Sequence, residues 1–255
     1  MDQINVLGCP MHAGTMDETV ALIGERVSRK AFTQHVVVNV AKIVNMRKNP
    51  VLDQSVRACE IINIDGMGVV WGARVLGRNV PERVSGIDLF HRLLEMSADQ
   101  GYPVFLLGAT SEVVAEARKR VEELYPRLVV AGHHHGYFWD DEQGVVDEIR
   151  ESGARLLFVA ITSPKKENFI NKWKDELGVD FVMGVGGTFD VVAGKVKRAP
   201  VWMQRNGLEW LYRVIQEPRR MWKRYLKTNT VFAFLLLKAL VKKFLRIRRE
   251  GAETY

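Results

Sequence analysis

The chain has 255 residues, 47% hydrophobic and 26% charged, which suits one large α/β domain or one domain plus an appendage. Its two cysteines, Cys9 and Cys59, form no C-x-x-C pair and exclude a disulfide framework. The net charge of +7 is unevenly spread: residues 195–249 hold 16 Lys and Arg against Glu209 and Glu217, leaving 21 bases and 28 acids elsewhere. A mildly acidic body thus carries a strongly basic tail, and such tails meet phosphate in nucleic acid, anionic lipid or a phosphorylated substrate. The start, MDQINVLGCPMHAG, lacks a basic n-region and a long apolar h-region. It does not read as a signal peptide, and a cytoplasmic protein is expected.

In chain order, INVLG (4–8) reads as a strand and residues 15–29 as a helix, with Thr15 and Glu18 at capping-box spacing. HVVVNV (35–40) is a strand and 41–49 is helical. EIINI (60–64) is a strand that ends at Asp65 and Gly66, where a helix begins. Residues 85–101 are a helix with Ser85 as cap and Gly101 as stop. PVFLLG (103–108) is a strand, SEVVAEARKRVEELYP a helix and RLVVAG a strand. ARLLFVAI (154–161) is a strand, PKKENFINKWKDELG a helix and DFVMGVGG (180–187) a strand. Strands that alternate with helices, and that are apolar throughout, imply an α/β chain of βαβ units with a mostly parallel sheet covered on both faces. Ligands of such sheets bind at the carboxyl ends of the strands. That rim holds Asn39, Asp65, Gly108, the 132–138 loop, Thr162–Lys166 and Gly186–Asp190.

Individual residues leave alternatives open. Asp65 either caps the helix starting near Gly66 or takes a proton from a substrate hydroxyl. The strand–Gly–turn segments LLGATSE and GVGGTFD would let backbone N–H groups approach a phosphate, but neither fits G-x-G-x-x-G or a Walker loop. His133–His135 cannot all face one ion from a regular strand, and no metal is expected. Asp140 and Asp141 read as the acidic start of a surface helix rather than a metal–diphosphate site. A boundary near residue 195 separates a core, 1–195, from a basic helical appendage, 196–255. In that appendage VFAFLLLKALV is too short to span a bilayer. On a helix, Phe234, Leu237, Val241, Phe244 and Leu245 share one side and Lys238, Lys242, Arg246 and Arg249 another. This is a basic amphipathic helix, fit either to lie on an anionic membrane or to dock on the body or a second chain.

NIDGMGVVW, RVSGIDL, VFLLGAT, GHHHGYF, ITSPKKE, GVGGTFDVVAGKVKRAP and GLEWLYRVIQEPRR occur in this order. Together they resemble the WecG/TagA/CpsF family, glycosyltransferase family 26, over roughly residues 4–226, and the resemblance implies a Rossmann-like α/β core with a mostly parallel sheet flanked by helices. The resemblance implies inverting transfer of a sugar, typically N-acetylmannosamine, from a UDP-sugar to a polyprenyl-diphosphate-linked saccharide. The place would be the cytoplasmic face of the plasma membrane, the process bacterial surface-polysaccharide assembly, and no metal or other cofactor would be needed. Asp65 falls on the family's candidate base. Arg213 and Arg220, with Lys223 or Arg224, fall on appendage cations that complete the site. Asn39 and Lys166 are expected to contact substrate. Gly108, Tyr137, Gly186, Gly187 and Asp190 are expected to line the nucleotide pocket. Arg83 and Arg198 are either phosphate ligands or ion-pair partners. Lys166 stands where the family often has Gln, and VVNVAK lacks the hydroxyl of the family's T-P-N pattern. These departures leave UDP-glucose or another donor as the alternative. A non-catalytic lipid- or nucleic-acid-binding protein is the other-class alternative. Within the main reading no nucleic acid is a partner, and a homo-oligomer is compatible with it.

Overall fold

The structure is a computed structural model that describes residues 1–252; for residue 220 and residues 246–252 it describes the backbone alone. Its strands are β1 (Asp2–Val6), β2 (Cys9–Ala13), β3 (Thr33–Val38), β4 (Ile61–Ile64), β5 (Val104–Gly108), β6 (Val130–His134), β7 (Leu156–Ala160) and β8 (Phe181–Gly184). Between them run α1 (Met16–Ser28), α2 (Val40–Met46), α3 (Pro50–Arg57), α4 (Met67–Val75), α5 (Gly86–Gln100), α6 (Ser111–Leu124), α7 (Glu142–Glu151) and α8 (Lys165–Trp173). After β8 come α9 (Thr188–Val192), α10 (Val201–Arg205), α11 (Glu209–Gln216) and α12 (Pro218–Ala252).

The eight strands form one sheet in the order β1-β2-β4-β3-β8-β7-β5-β6, parallel except for the β1–β2 hairpin. Period-two alternation sorts their side chains onto two covered faces. Ile61, Val104, Leu106, Leu156, Phe158, Phe181 and Met183 pack under α1, α5, α6 and α9. Val36, Val38, Ile62 and Ile64 pack under α2, α3 and α4, and Phe105, Leu107, Leu157, Val159 and Val182 under α7 and α8. The chain leaves β3 toward one face, through α2, and leaves the adjacent β8 toward the other, through α9. This divergence makes the carboxyl ends of β3 and β8 a topological switch point, the crevice at which open α/β sheets bind ligands.

The capping box at Thr15 and Glu18 is formed, and Gly101 ends α5 in the left-handed conformation at φ 67°. Other sequence expectations need correction. The β2 strand, in CPMHA, and α3 were not anticipated: β2 contains a proline, and Pro50 at the first turn of α3 marks a new helix rather than the end of one. The strand expected over 35–40 is β3, ending at Val38, because Asn39 turns out of the sheet to cap α2 by accepting the Lys42 N–H at 3.0 Å. The strand expected over 180–187 stops at Gly184, and 185–187 turn into α9. Ser85 holds the N-cap position of α5 but makes no side-chain cap bond. Asp141 does cap α7, accepting the Gly144 N–H at 3.0 Å.

α12 lies along α2. Its Phe232 is 7% exposed and belongs to the apolar cluster of Val69, Val70 and Ala73. A side chain at Gly72 would lie 2.9 Å from the Phe232 ring, so α4 and α12 approach closely through that glycine. No helix among the described residues is long and apolar enough to cross a membrane.

Candidate active site

Asp65 is half-buried at the end of β4, its N–H donating to the Val38 carbonyl at 2.9 Å. It does not cap the helix that follows: Gly66 holds the N-cap position of α4, at φ 110°, with no side-chain bond. The positive φ lets the chain turn away and leaves the carboxylate aimed across the rim. There it accepts the backbone N–H of Gly86, at the N-terminus of α5. Burial pushes the Asp65 carboxyl above its ordinary value and Glu209 adds to this, while Arg83, Arg213 and the Gly86 N–H pull the other way. A carboxylate so placed is a better proton acceptor near neutral pH than an exposed one.

Three arginines surround it. Arg83 is ion-paired with Glu209 of α11. Arg198 makes a bidentate pair with Asp88 of α5, at 2.6 and 2.7 Å. Burial opposes the charge of Asp88, but Arg198, with help from Ser85 and Arg83, holds its carboxyl below the ordinary range. The Nε of Arg198 lies 3.7 Å from Glu209. Arg213, on the same helix as Glu209, is exposed but close enough to bias Asp65 electrostatically. The structure therefore gives both Arg83 and Arg198 ion-pair partners, and it gathers Asp65, Arg83, Arg198 and Arg213 at one place. Glu209 and Asp88 were missed because each reads in sequence as an ordinary acid in a first helical turn, favourable to the helix dipole.

Gly207 explains how α11 reaches the rim. A Cβ there would sit 2.5 Å from the Met67 side chain, and Gly207 adopts φ 69°. Replacing Gly207 by Val is therefore expected to displace α11 from α4 and to lower catalytic efficiency more than thermal stability. Parallel kinetics and thermal unfolding of the variant check this.

At the crevice itself, Asn39 sits beside Gly66, its Cβ 3.6 Å from where a Gly66 side chain would begin. Lys166 is buried, and its stem covers Gly184 so closely that a Cβ there would lie 2.4 Å from its Cε. Burial, then the neighbouring Lys42, lowers the Lys166 ammonium to about 8. Glu167 lies between the two lysines, accepting from Lys42 Nζ at 2.9 Å with Lys166 Nζ at 3.6 Å. Burial disfavours its charge, yet Lys166 and Lys42 outweigh this and hold it at about 2. Because the folded value lies below the ordinary 4.5, the stability Glu167 contributes is present above that pH and is lost as pH falls toward 2. Glu167→Gln leaves buried Lys166 and half-buried Lys42 without this counter-charge and is expected to destabilise by about 3–5 kcal/mol, as read by urea unfolding at pH 7.

The remaining candidates spread along the rim. Gly108, at φ 125°, packs onto the Ala160 backbone, where a Cβ would lie 2.6 Å from its carbonyl oxygen; Gly136 closes over it, its N–H donating to Ala109 at 2.9 Å. Gly186 is open, with φ 56°, and Gly187 and Asp190 start α9. Tyr137 is exposed. The neighbouring histidine rings face different partners: His133 meets Arg118, His134 the His135 carbonyl, and His135 the Tyr137 N–H. Arg224 is exposed on α12. The Arg220 side chain lies outside the described residues. A groove of about 330 Å³ lies elsewhere: Phe32, Gln34, Glu60 and Val179 place it at the amino ends of the strands, the rim away from the switch point.

A parallel sheet with this switch point, a rim carboxylate and clustered arginines narrows the field, and sequence comparison decides it. The Glycosyl transferase WecG/TagA/CpsF family profile matches residues 4–246. The chain belongs to the WecG/TagA/CpsF glycosyltransferase family. A relative from Bacillus spizizenii, N-acetylglucosaminyldiphosphoundecaprenol N-acetyl-beta-D-mannosaminyltransferase, is 37% identical over 179 residues, covering 70% of this chain and 69% of its own. WecG/TagA/CpsF membership makes the chain a glycosyltransferase and sets aside the non-catalytic binding protein.

Proposed function

We propose that the chain transfers a sugar, with N-acetylmannosamine as the first candidate, from its UDP-sugar to a polyprenyl-diphosphate-linked saccharide in bacterial surface-polysaccharide assembly. The observation that carries this is the convergence of Asp65 with Arg83, Arg198 and Arg213 beside the switch-point crevice. The acceptor comes from the relative's printed activity; the UDP donor rests on the family resemblance.

In this reading Asp65 takes the proton of the acceptor hydroxyl as the hydroxyl oxygen bonds to the anomeric carbon. The bond from that carbon to the UDP oxygen breaks on the opposite face, the electron pair leaves with UDP, and configuration inverts. Charge gathers on the departing diphosphate. Arginine serves it well, because its planar fork can bind phosphate oxygens bidentately without a metal ion. Gly186, Gly187 and Asp190, with Gly108 and Tyr137 farther along the rim, line the nucleotide side. Asn39, after β3, lies between Asp65 and the turn after β8, and Lys166, from α8, packs on Gly184 of β8. Chelation is expected to leave turnover intact.

The outer face of α12 gives the site its place. Phe234, Leu237 and Phe244 are 65%, 60% and 67% exposed, on the side of the helix away from docked Phe232. Exposed Trp71, Trp202, Trp210 and Trp222 extend the apolar surface over α4 and the segment from α10 to the start of α12. Tryptophan and flanking cations are the composition of a membrane interface. The protein thus lies peripherally on the anionic cytoplasmic leaflet, where a polyprenyl acceptor is found. Within the stripe's basic flank, Arg246 and Arg249 lie outside the described side chains.

A panel of UDP-sugars with a short-chain polyprenyl-diphosphate saccharide tests the reaction. Turnover of UDP-N-acetylmannosamine supports the reading; turnover of UDP-glucose alone moves the donor; a nucleotide other than UDP as the released product overturns it. Lys166 adds a pH signature. Its charge is lost as pH rises through about 8, so the KM for donor is expected to rise above that pH in the wild type and to stay flat in Lys166→Gln. Identical profiles would remove Lys166 from donor binding.

A further inference from the structure

We propose that the Glu209 carboxylate competes with the substrate's diphosphate for Arg83 and Arg198, so that diphosphate binding displaces Glu209 from the two arginines. This rests on the reading that the arginine cluster binds diphosphate, and it adds a contact that must break.

The geometry is that of one anion spanning two guanidinium groups. One Glu209 oxygen pairs with Arg83, and the other lies 3.7 Å from Arg198 Nε. The two arginines are differently committed. Arg198 spends both terminal nitrogens on Asp88, while its buried Nε has no hydrogen-bond partner. A buried donor left unpaired is costly, and a phosphate oxygen arriving from the Glu209 side would satisfy it. Arg83 has its pair with Glu209 and no second carboxylate within ion-pair distance among the described residues. It is the arginine with a seat to exchange.

Charge gives the drive. The groups facing Glu209 are Arg83 from the loop before α5, Arg198 from the loop after α9, Arg213 from its own helix and Asp65 from the end of β4; Asp88 of α5 backs Arg198. Three cations face three carboxylates. A diphosphate entering this partly buried cluster is repelled by Glu209 and attracted by the arginines Glu209 holds. The mechanical cost is small, because Glu209 is only partly buried and its side chain can leave the arginines while α11 keeps its other ties, the Gln216 side-chain N–H donating to the Lys197 carbonyl at 3.0 Å and the Trp210 ring 5.8 Å from Tyr225 of α12.

Glu209 raises the proton affinity of Asp65, so removing its charge in Glu209→Gln has a defined sign in the free enzyme: the acid limb of kcat/KM moves to lower pH.

The experiment uses the full chain and Glu209→Gln, which keeps the shape and removes the charge. Binding of UDP, inorganic pyrophosphate and uridine is measured by calorimetry. The expected result is about 10-fold tighter UDP and pyrophosphate with uridine unchanged, and an acid limb shifted down. Equal or weaker UDP binding by folded Glu209→Gln, beside a wild type that binds UDP, overturns the proposal alone and makes Glu209 a fixed structural tie. Failure of both proteins to bind UDP or pyrophosphate overturns the diphosphate reading together with the proposal.

Discussion

Asp65→Asn is expected to lower kcat by about 10²- to 10⁴-fold, the usual contribution of a positioned general base, while UDP still binds. The amide keeps an oxygen for the Gly86 N–H and loses only the capacity to take a proton. The wild-type rate should fall as pH drops, with an apparent pKa above that of an ordinary aspartate, because burial opposes ionisation of Asp65. Stability moves the opposite way. A carboxyl whose folded pKa is raised binds its proton more tightly folded than unfolded, so the fold loses stability as pH climbs through that window. At neutral pH the ionised Asp65 is a strain on the fold, and Asp65→Asn should unfold at the same temperature as wild type or higher. Loss of activity with retained or increased stability is the signature of a catalytic group. Full turnover by Asp65→Asn would return Asp65 to an architectural role at the start of α5.

The second large effect concerns α12. Changing Phe234, Leu237 and Phe244 together to Gln is expected to weaken binding to vesicles containing anionic lipid by about 10²- to 10³-fold, from the apolar area lost. Thermal unfolding should hardly move, since all three are exposed. Phe232→Ala is the counterpart, with the reverse pattern. It removes a ring buried against Gly72, Val69 and Val70, costs about 3 kcal/mol of stability, and leaves the outer stripe in place. Sedimentation with vesicles and thermal unfolding of both variants separate the two faces. Unchanged sedimentation of the triple variant would refute the membrane role of the stripe.

Those two faces mark the boundary between what sequence and structure supplied. Apolar strands, Gly-punctuated turns and a capping box made the parallel sheet legible, because each is local: backbone propensity and period decide it within a dozen residues. The rim positions were legible for the same reason, since every strand end fixes where its next residue lies. Family motifs added the reaction class and singled out Asp65. The helical period of α12 was also plain, but its spacing allowed membrane contact and docking alike. Only the packed chain shows that Phe232 goes inward while Phe234 stays out. Strand CPMHA escaped because a two-stranded edge is held by its partner more than by its own composition. The Lys42–Glu167–Lys166 cluster joins residues 125 positions apart, and Arg83–Glu209 spans 126. No spacing in the sequence encodes such pairs. Charge neutralisation in a half-buried site is a property of what the fold brings together, so Asp65 and the arginines around it were legible in the chain, and the acids that pair with those arginines, Glu209 and Asp88, were decided by tertiary structure.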